Sequence, residues 1–423
     1  MIRSKVLWMT AAVILVLTVG IFFLTSGGIE QRTEQELKPK YDEIKKNADI
    51  LMEFDASIRD VKIINSEEGY FAVEPQENKV EIVDLSGNTI LKTDFIRMEE
   101  KAGNYIPGYD GISWWLLDCT SLEMKPVSVL NAELHQSGEY MVGNVIGEPN
   151  GWAIEDVMTG EILLESDRPL ILPQQKGYVI KLGTEDGSER DQIINLSTGE
   201  TEYTAGQWES IIDGNCGFWE IWYAEAYEYQ GRPGTWHCKY ILDENYEPAF
   251  DGQLFSDIYL TDKVICGEMR NVATLEAFRE HADSSDYVCI MTYDGEILYK
   301  MPPESKSMLM DAFGNYAVMR DNNDKNWLLE VEVHGGVIRH RMDRKLPVLD
   351  YEDRIMAAAE EEQYIPGLTP DRWSYINVLT MEPLLPFEFV SASKSENGYA
   401  VAKHTRGNIL VLDLYQRGKD GGV

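Results

Sequence analysis

An aromatic stretch at residues 218–240 contains the side chains best suited to ligand chemistry. It reads Phe218-Trp219-Glu220-Ile221-Trp222-Tyr223-Ala224-Glu225-Ala226-Tyr227-Glu228-Tyr229, followed by a Gly- and Pro-containing turn and then Trp236. We interpret it as a β-hairpin whose side chains alternate between two faces. Near the turn, Tyr227, Tyr229 and Trp236 are predicted to project beyond the core and stack on a sugar ring or a peptide. The alternative is that the whole cluster is core, as aromatic clusters often are.

Catalytic motifs are poorly represented. The chain has no Gly-x-Ser-x-Gly and no His-Glu-x-x-His, and the Ser-x-x-Lys match at Ser391–Lys394 lacks its companion motifs. The five cysteines show no CxxC spacing, and the six histidines are scattered. An acidic loop at Asp321–Asn326 begins like a calcium loop but lacks the required Gly and Glu. We therefore predict no catalytic residue, no metal and no cofactor.

The N-terminus contains an uncharged segment of membrane-spanning length. Residues 6–24 contain no charged side chain and are mostly apolar, and Arg3 and Lys5 precede them. At 1.5 Å per residue such a helix spans about 28 Å, close to the thickness of the hydrocarbon core. The positive-inside rule keeps residues 1–5 in the cytoplasm and places the remainder outside it. This predicts a single-pass signal anchor in a cell membrane; a cleaved signal peptide is the alternative.

Composition limits the possible partners. The chain has 423 residues, 44% of them hydrophobic, and a net charge of -34, with 72 acidic against 38 basic residues. The apolar content is that of a packed globular protein. So acidic a chain repels phosphate backbones, which argues against nucleic acid as a partner.

A repeated turn phrase predicts the architecture. An apolar strand, a tight turn ending in Gly and a second apolar strand recur around Gly87, Gly160, Gly199, Gly295 and Gly335. Weaker copies fit between them, so the spacing is about 35 to 50 residues, the range of four-stranded propeller blades. A short strand opened by Gly and an aromatic residue precedes most turns, as expected for a β-meander.

These observations predict an all-β fold: a β-propeller of about seven or eight four-stranded blades over residues 61–416. One transmembrane helix and a helical juxtamembrane stalk at 25–60 precede it, and a flexible tail at 417–423 follows. The stalk prediction comes from an apolar stripe beginning at Leu37, which would also suit a helix packed on the next domain. Helical insertions are predicted near 272–283 and 351–364. An open repeat array or two β domains are the alternative architectures.

The segment Gly151–Glu161 resembles two bacterial repeat families. Its Gly-Trp element followed by a strand and a turn Gly is similar to WG-type repeats, and Asp156-x-x-Thr159-Gly160-Glu161 is similar to the motif of PQQ-type propellers, including non-catalytic envelope assembly factors. The resemblance implies a propeller of the bacterial cell envelope.

Three functions remain open from the sequence. The first is a non-catalytic, membrane-anchored extracytoplasmic propeller that binds or scaffolds an envelope protein, peptide or glycan. The second is an extracytoplasmic propeller enzyme, a glycan hydrolase or a quinone-cofactor dehydrogenase, which predicts a carboxylate-lined central pocket with perturbed pKa values. The third, a sensor, is disfavoured because only five residues precede the anchor. We expect the first.

Overall fold

The fold is taken from a computed structural model of the chain. It describes residues 44, 46–77, 79–145, 148, 151–184, 187–229, 232–270, 286–301, 308–314, 316–320, 326–331, 337–342, 348–352, 355–360, 372–377 and 382–415. The predicted cytoplasmic tail, transmembrane helix and C-terminal tail lie outside these residues. Within the described part of the chain, no helix has the length and apolarity needed to cross a membrane.

Short β-strands dominate the described residues. In the first half they are β1 (Asp49–Phe54), β2 (Ile58–Asn65), β3 (Tyr70–Pro75), β4 (Glu81–Val83), β5 (Thr89–Lys92), β6 (Arg97–Met98), β7 (Tyr105–Tyr109), β8 (Trp114–Asp118), β9 (Met124–Pro126), β10 (Val129–Leu134), β11 (Tyr140–Val145), β12 (Trp152–Asp156), β13 (Ile162–Ser166), β14 (Leu170–Ile171), β15 (Tyr178–Lys181), β16 (Gln192–Asn195) and β17 (Thr201–Thr204).

The second half continues the same pattern, with one 3₁₀ turn at Phe250–Gly252. Its strands are β18 (Glu209–Asn215), β19 (Phe218–Tyr229), β20 (Arg232–Leu242), β21 (Phe255–Leu260), β22 (Ile265–Met269), β23 (Tyr287–Met291), β24 (Ile297–Lys300), β25 (Met308–Phe313), β26 (Tyr316–Arg320), β27 (Asn326–Val331), β28 (Val337–Met342), β29 (Val348–Glu352), β30 (Ile355–Glu360), β31 (Arg372–Asn377), β32 (Glu382–Pro383), β33 (Phe389–Ala392), β34 (Tyr399–His404) and β35 (Ile409–Asp413).

These strands form antiparallel meanders arranged as a β-propeller. Five sheets have four strands each, namely β2–β5, β6–β9, β10–β13, β14–β17 and β25–β28. The other described strands form one seven-stranded sheet, β18–β24, and one eight-stranded sheet of β29–β35 with β1. Only five of these described sheets have four strands, so the predicted propeller of seven or eight four-stranded blades is wrong. Two of the sheets are larger because strand pairing continues from one repeat unit into the next, at Lys239 with Phe255 and at Trp373 with Phe389. The number of turn phrases therefore does not equal the number of sheets.

The ring is closed by the N-terminal strand. Strand β1 pairs with β35 as the outermost strand of the last sheet, and β2 packs on the same sheet through a cluster that includes Val61, Phe71, Val401 and Val411. The helical stalk predicted at 25–60 is thus wrong for residues 49–54 and 58–60, which are strands. Its apolar stripe fitted a helix locally, but the ladder with β35 provides hydrogen-bond partners far away in sequence.

The two predicted helical insertions have different outcomes. Residues 272–283 lie outside the described residues. The helix predicted at 351–364 is wrong at residues 351–352 and 355–360, because β29 and β30 pair antiparallel there and β30 also pairs with β31. The Ala-Glu run has high helix propensity, and the two flanking strands override it. Residues 353–354 and 361–364 lie outside the described residues.

The repeated turn phrase is confirmed as a hairpin element at Gly87, Gly160, Gly199 and Gly295, whereas Gly335 lies outside the described residues. At Gly160 the backbone φ is 71°, a left-handed conformation that glycine adopts without strain. Asp156 Oδ1 accepts hydrogen bonds from Thr159 N at 2.7 Å and from Thr159 Oγ1 at 2.9 Å. The same side-chain-to-backbone turn forms at Asp84, Asp118, Asn195 and Asp243. The acidic residue of the repeat is therefore structural.

Candidate functional site

The hairpin of β19 and β20 has the longest described strands, with 12 and 11 residues. The ladder pairs Tyr227 with Gly234, Tyr229 with Arg232, and Trp236 with Glu225. The predicted hairpin is thus present in the backbone. The side chains of Tyr227, Tyr229 and Trp236 lie outside what the structure describes, so their role in ligand binding stays a prediction.

The half of this hairpin remote from its turn belongs to the core. Trp219, Ile221 and Tyr223 are buried, and they pack with Ile180 and Ile193 of the neighbouring sheet β14–β17. The Trp219 ring meets Tyr178 edge to face, with centroids 5.4 Å apart. Burial of each such apolar side chain contributes about 1.5–3 kcal/mol to stability. Core packing therefore accounts for this face of the aromatic stretch.

The opposite face of β19 opens into a groove that the sequence did not single out. Trp222 of β19 and Trp208, just before β18, are each 41% exposed and line the same groove of about 550 Å³. The two strands are in register, since Ser210 pairs with Trp222 and Ala224 N donates to Trp208 O at 2.8 Å. We call this feature, lined by residues of 171–191 and 207–224, the tryptophan groove.

The base of the tryptophan groove is held by one carboxylate. Glu209 accepts hydrogen bonds from Tyr240 Oη at 2.6 Å, Tyr203 Oη at 3.0 Å and Gly206 N at 2.5 Å. Burial and the neighbouring Glu209 charge raise the pKa of both tyrosines, so both hydroxyls remain protonated donors at neutral pH. This network fixes the backbone that carries Trp208.

The rim of the groove is polar and braced. Asp191 Oδ1 accepts from Gly183 N at 2.6 Å and Oδ2 accepts from Ile211 N at 3.0 Å. Arg190 donates to Gln207 O at 3.2 Å. Two half-exposed indole rings bordered by guanidinium, amide and carboxylate groups match a ligand that has both apolar faces and hydroxyls.

A second concave region lies where the inner strands converge. A cavity of about 850 Å³ is lined by Glu220, Lys239 and Asp257, among others. Glu220 is 5% exposed, and Lys239 Nζ lies 2.9 Å from Glu220 Oε1 and 2.6 Å from Asp257 Oδ1. Burial raises the pKa of Glu220 despite this lysine. Burial opposes protonation of Lys239, but the Glu220 and Asp257 carboxylates raise its pKa overall.

Metal and thiol chemistry find little support in the described residues. No group of three or more His, Cys, Asp or Glu side chains there could hold a metal ion. All five cysteines are free, and four are buried, with burial raising the pKa of Cys238 to about 11 and that of Cys119 to about 12. These thiols are protonated at neutral pH and behave as small apolar side chains.

Comparison with known proteins gives no family. No family model and no curated protein matches the chain. Among solved structures, BamB from Moraxella catarrhalis is 11% identical with a TM-score of 0.33, over 86% of this chain and 99% of that one. Apo AztD from Citrobacter koseri is 11% identical with a TM-score of 0.39, over 75% and 91%. A β-propeller domain from Myceliophteria thermophila is 12% identical with a TM-score of 0.30, over 86% and 99%.

Similarities of this size carry no argument about function. The propeller assignment rests on the sheet order and ring closure of the chain itself. The resemblance to WG-type or PQQ-type repeats stays a prediction.

Proposed function

We propose that this chain is a non-catalytic, membrane-anchored protein that displays its β-propeller outside the cytoplasm and binds a glycan of the cell envelope in the tryptophan groove. The observation that carries the proposal is the exposure of Trp208 and Trp222 in one groove. Large aromatic side chains are usually buried, and a pair left open in a concave site is available for stacking.

A glycan suits this groove better than a purely apolar ligand. Sugar rings present C–H faces to an indole and hydroxyls to polar neighbours. The groove offers both indole rings and polar side chains, since Gln207 and Ser210 lie beside the tryptophans and Arg190 lies on the rim. A peptide with aromatic or proline residues is the competing ligand.

A glycan and peptide array probed with the purified full chain tests the proposal. We expect glycan spots to bind the wild-type protein and to be lost with Trp222→Ala. Ile112→Ala is the matched control, because Ile112 is 84% exposed and lies outside the groove. Binding to peptides only would show that the ligand is a peptide and not a glycan. An array signal unaffected by Trp222→Ala would show that the tryptophan groove is not the binding site.

The location is a separate part of the proposal and has its own test. It is supported by the uncharged segment at residues 6–24 and by Arg3 and Lys5 before it. Alkaline phosphatase fused after residue 415 folds only outside the cytoplasm, so we expect an active fusion that sediments with membranes. A fusion lacking residues 6–24 serves as the control and should be inactive. An inactive full-length fusion would contradict the location.

An extracytoplasmic enzyme is the second candidate, and one observation favours it. The cavity around Glu220, Lys239 and Asp257 contains a buried carboxyl group whose pKa burial raises, as a general acid requires. A glycan hydrolase would use such a group to protonate a leaving oxygen. Turnover of an array-positive glycan that is abolished by Glu220→Gln would make this candidate the better account.

A further inference from the structure

The seam between the first and last sheets contains a second cavity, separate from the tryptophan groove. It has a volume of about 850 Å³ and lies between β2 of the first sheet and β33–β34 of the last. The ion pair of Lys101 Nζ with Glu396 Oε2, at 2.8 Å, links the second sheet to the last across its rim. We call it the seam cavity.

The charge of the seam cavity is opposite to that of the protein. Five cations line it: Arg59, Lys62, Lys101, Lys394 and Lys403. Only three lining residues are acidic, so the lining has a net charge of +2, whereas the whole chain has a net charge of -34. Charges within a Debye length of about 8 Å dominate over more distant ones at physiological salt. With the buried Glu74 that pairs with Arg59 included, the five cations face four acidic groups, so the balance around a small anion is still positive, at +1.

The acidic residues of the lining are already engaged by two lysines. Lys62 Nζ lies 2.7 Å from Glu100 Oε1 and 3.3 Å from Asp60 Oδ2, and Glu396 is held by Lys101. Arg59 forms an ion pair with the buried Glu74, at 2.6 Å. These pairs fix cations at the walls without needing a ligand.

Lys403 differs from the paired cations. It lies on β34, where the ladder places it directly opposite Ser391, another lining residue. Among the described residues, no side chain forms an ion pair or hydrogen bond with the Lys403 ammonium group. Lys403 and Ser391 line the same cavity as Gln136, whose Nε2 donates to Gln174 O at 3.4 Å. An ammonium group with three donors and a hydroxyl are therefore available to one ligand.

From this arrangement, the geometry points to the seam cavity as a binding site for a compact dianion, a phosphate monoester or a dicarboxylate. The positive balance of the lining favours a small anion, and Lys403 supplies the primary contact. An extended polyanion is disfavoured because the acidic surface outside the cavity repels it. Bound ligand would contact both the first and the last sheet and so stabilise the closure of the ring.

Isothermal titration calorimetry of the full chain with inorganic phosphate and with succinate, at low salt, tests the site. We expect binding of at least one probe, weakened about tenfold by Lys403→Gln, since a charge-assisted hydrogen bond is lost. Lys176→Gln is the control, because Lys176 pairs with Glu139 on the exposed surface at 2.6 Å. Lys403→Arg should retain binding and shows that loss in the Gln variant is not misfolding.

Each result of the titration either supports the seam cavity as an anion site or contradicts it. Binding of phosphate alone or succinate alone identifies the ligand class, and a rise in Tm with the bound probe supports the contact across the seam. Absence of heat with both probes, or equal weakening by Lys403→Gln and Lys176→Gln, would overturn the site. None of these results bears on the tryptophan groove.

Discussion

Trp219 and Trp222 lie three residues apart on strand β19 but in opposite environments. Trp219 is 2% exposed in the core between two sheets, whereas Trp222 is 41% exposed in the tryptophan groove. Strand alternation sends neighbouring side chains to opposite faces, so one aromatic run supplies both a core and a surface. A stretch of unusual composition therefore has to be divided by face before any part of it is assigned a function.

The largest effect should come from the core tryptophan. Trp219→Ala removes a buried ring that packs on Tyr178 and over Gly214, and we expect a loss of about 3–5 kcal/mol in the free energy of unfolding. Urea denaturation followed by circular dichroism measures it. A cost below about 1 kcal/mol, the range of surface substitutions, would show that the two faces do not differ in this way.

The groove tryptophan should show the reverse. Trp222→Ala is expected to change stability by no more than about 0.5–1 kcal/mol, since the ring is half exposed. It should weaken glycan binding about 30-fold, the effect of losing a 2 kcal/mol contact hot spot. Affinity is measured by titration with the array-positive glycan, and Ile112→Ala should bind as the wild type does. Strong destabilisation by Trp222→Ala would show that this residue contributes to core packing.

An intermediate effect is expected where the two regions meet. Glu209 holds Tyr203, Tyr240 and the backbone of Gly206, so Glu209→Gln weakens three hydrogen bonds to a charged acceptor. We expect a stability loss of about 1–2 kcal/mol. Glycan binding should weaken as well, because Trp208 is carried by this loop. Unchanged glycan affinity together with reduced stability would show that the hydrogen bonds of Glu209 do not position Trp208 for binding.

The smallest effect is a change in pH dependence at Glu220, which lies between the two tryptophans and faces the central cavity. Burial raises its pKa in the folded state, so its stabilising contribution is complete below the unfolded pKa near 4.5 and is lost as pH rises through the folded value. Glu220→Gln removes this titration. We compare the urea midpoints of the two proteins at pH 4 and pH 7. The stability of the variant relative to wild type should be higher at pH 7 than at pH 4. A constant difference between the two proteins would contradict the raised pKa.

Local chemistry explains which parts of the fold the sequence predicts. The turn at Gly160 is set by residues within five positions of one another, and the structure confirms it. The strand at Asp49–Phe54 depends on pairing with residues more than 300 positions away, which no local pattern indicates. The sheet count depends on single pairs that join consecutive repeat units, Lys239 with Phe255 and Trp373 with Phe389, and the turn phrase does not predict them. Helix propensity misassigned residues 351–352 and 355–360, because the pairing of β30 with β29 and β31 overrides it.

The candidate site was predictable only in part. The aromatic hairpin was found from its composition, and its pairing is confirmed in the backbone. Trp208 carries no signal of its own, because it lies in a loop and joins Trp222 only through the register of β18 with β19. The seam cavity combines side chains from residues 59 and 403, which only ring closure brings together.

The most direct test is ¹⁹F NMR of the full chain labelled with 5-fluorotryptophan and titrated with the array-positive glycan. Single Trp→Phe variants assign the resonances of Trp208, Trp219 and Trp222. The account predicts that the Trp208 and Trp222 resonances shift with ligand while that of Trp219 does not. Unchanged Trp208 and Trp222 resonances at saturating ligand would contradict it.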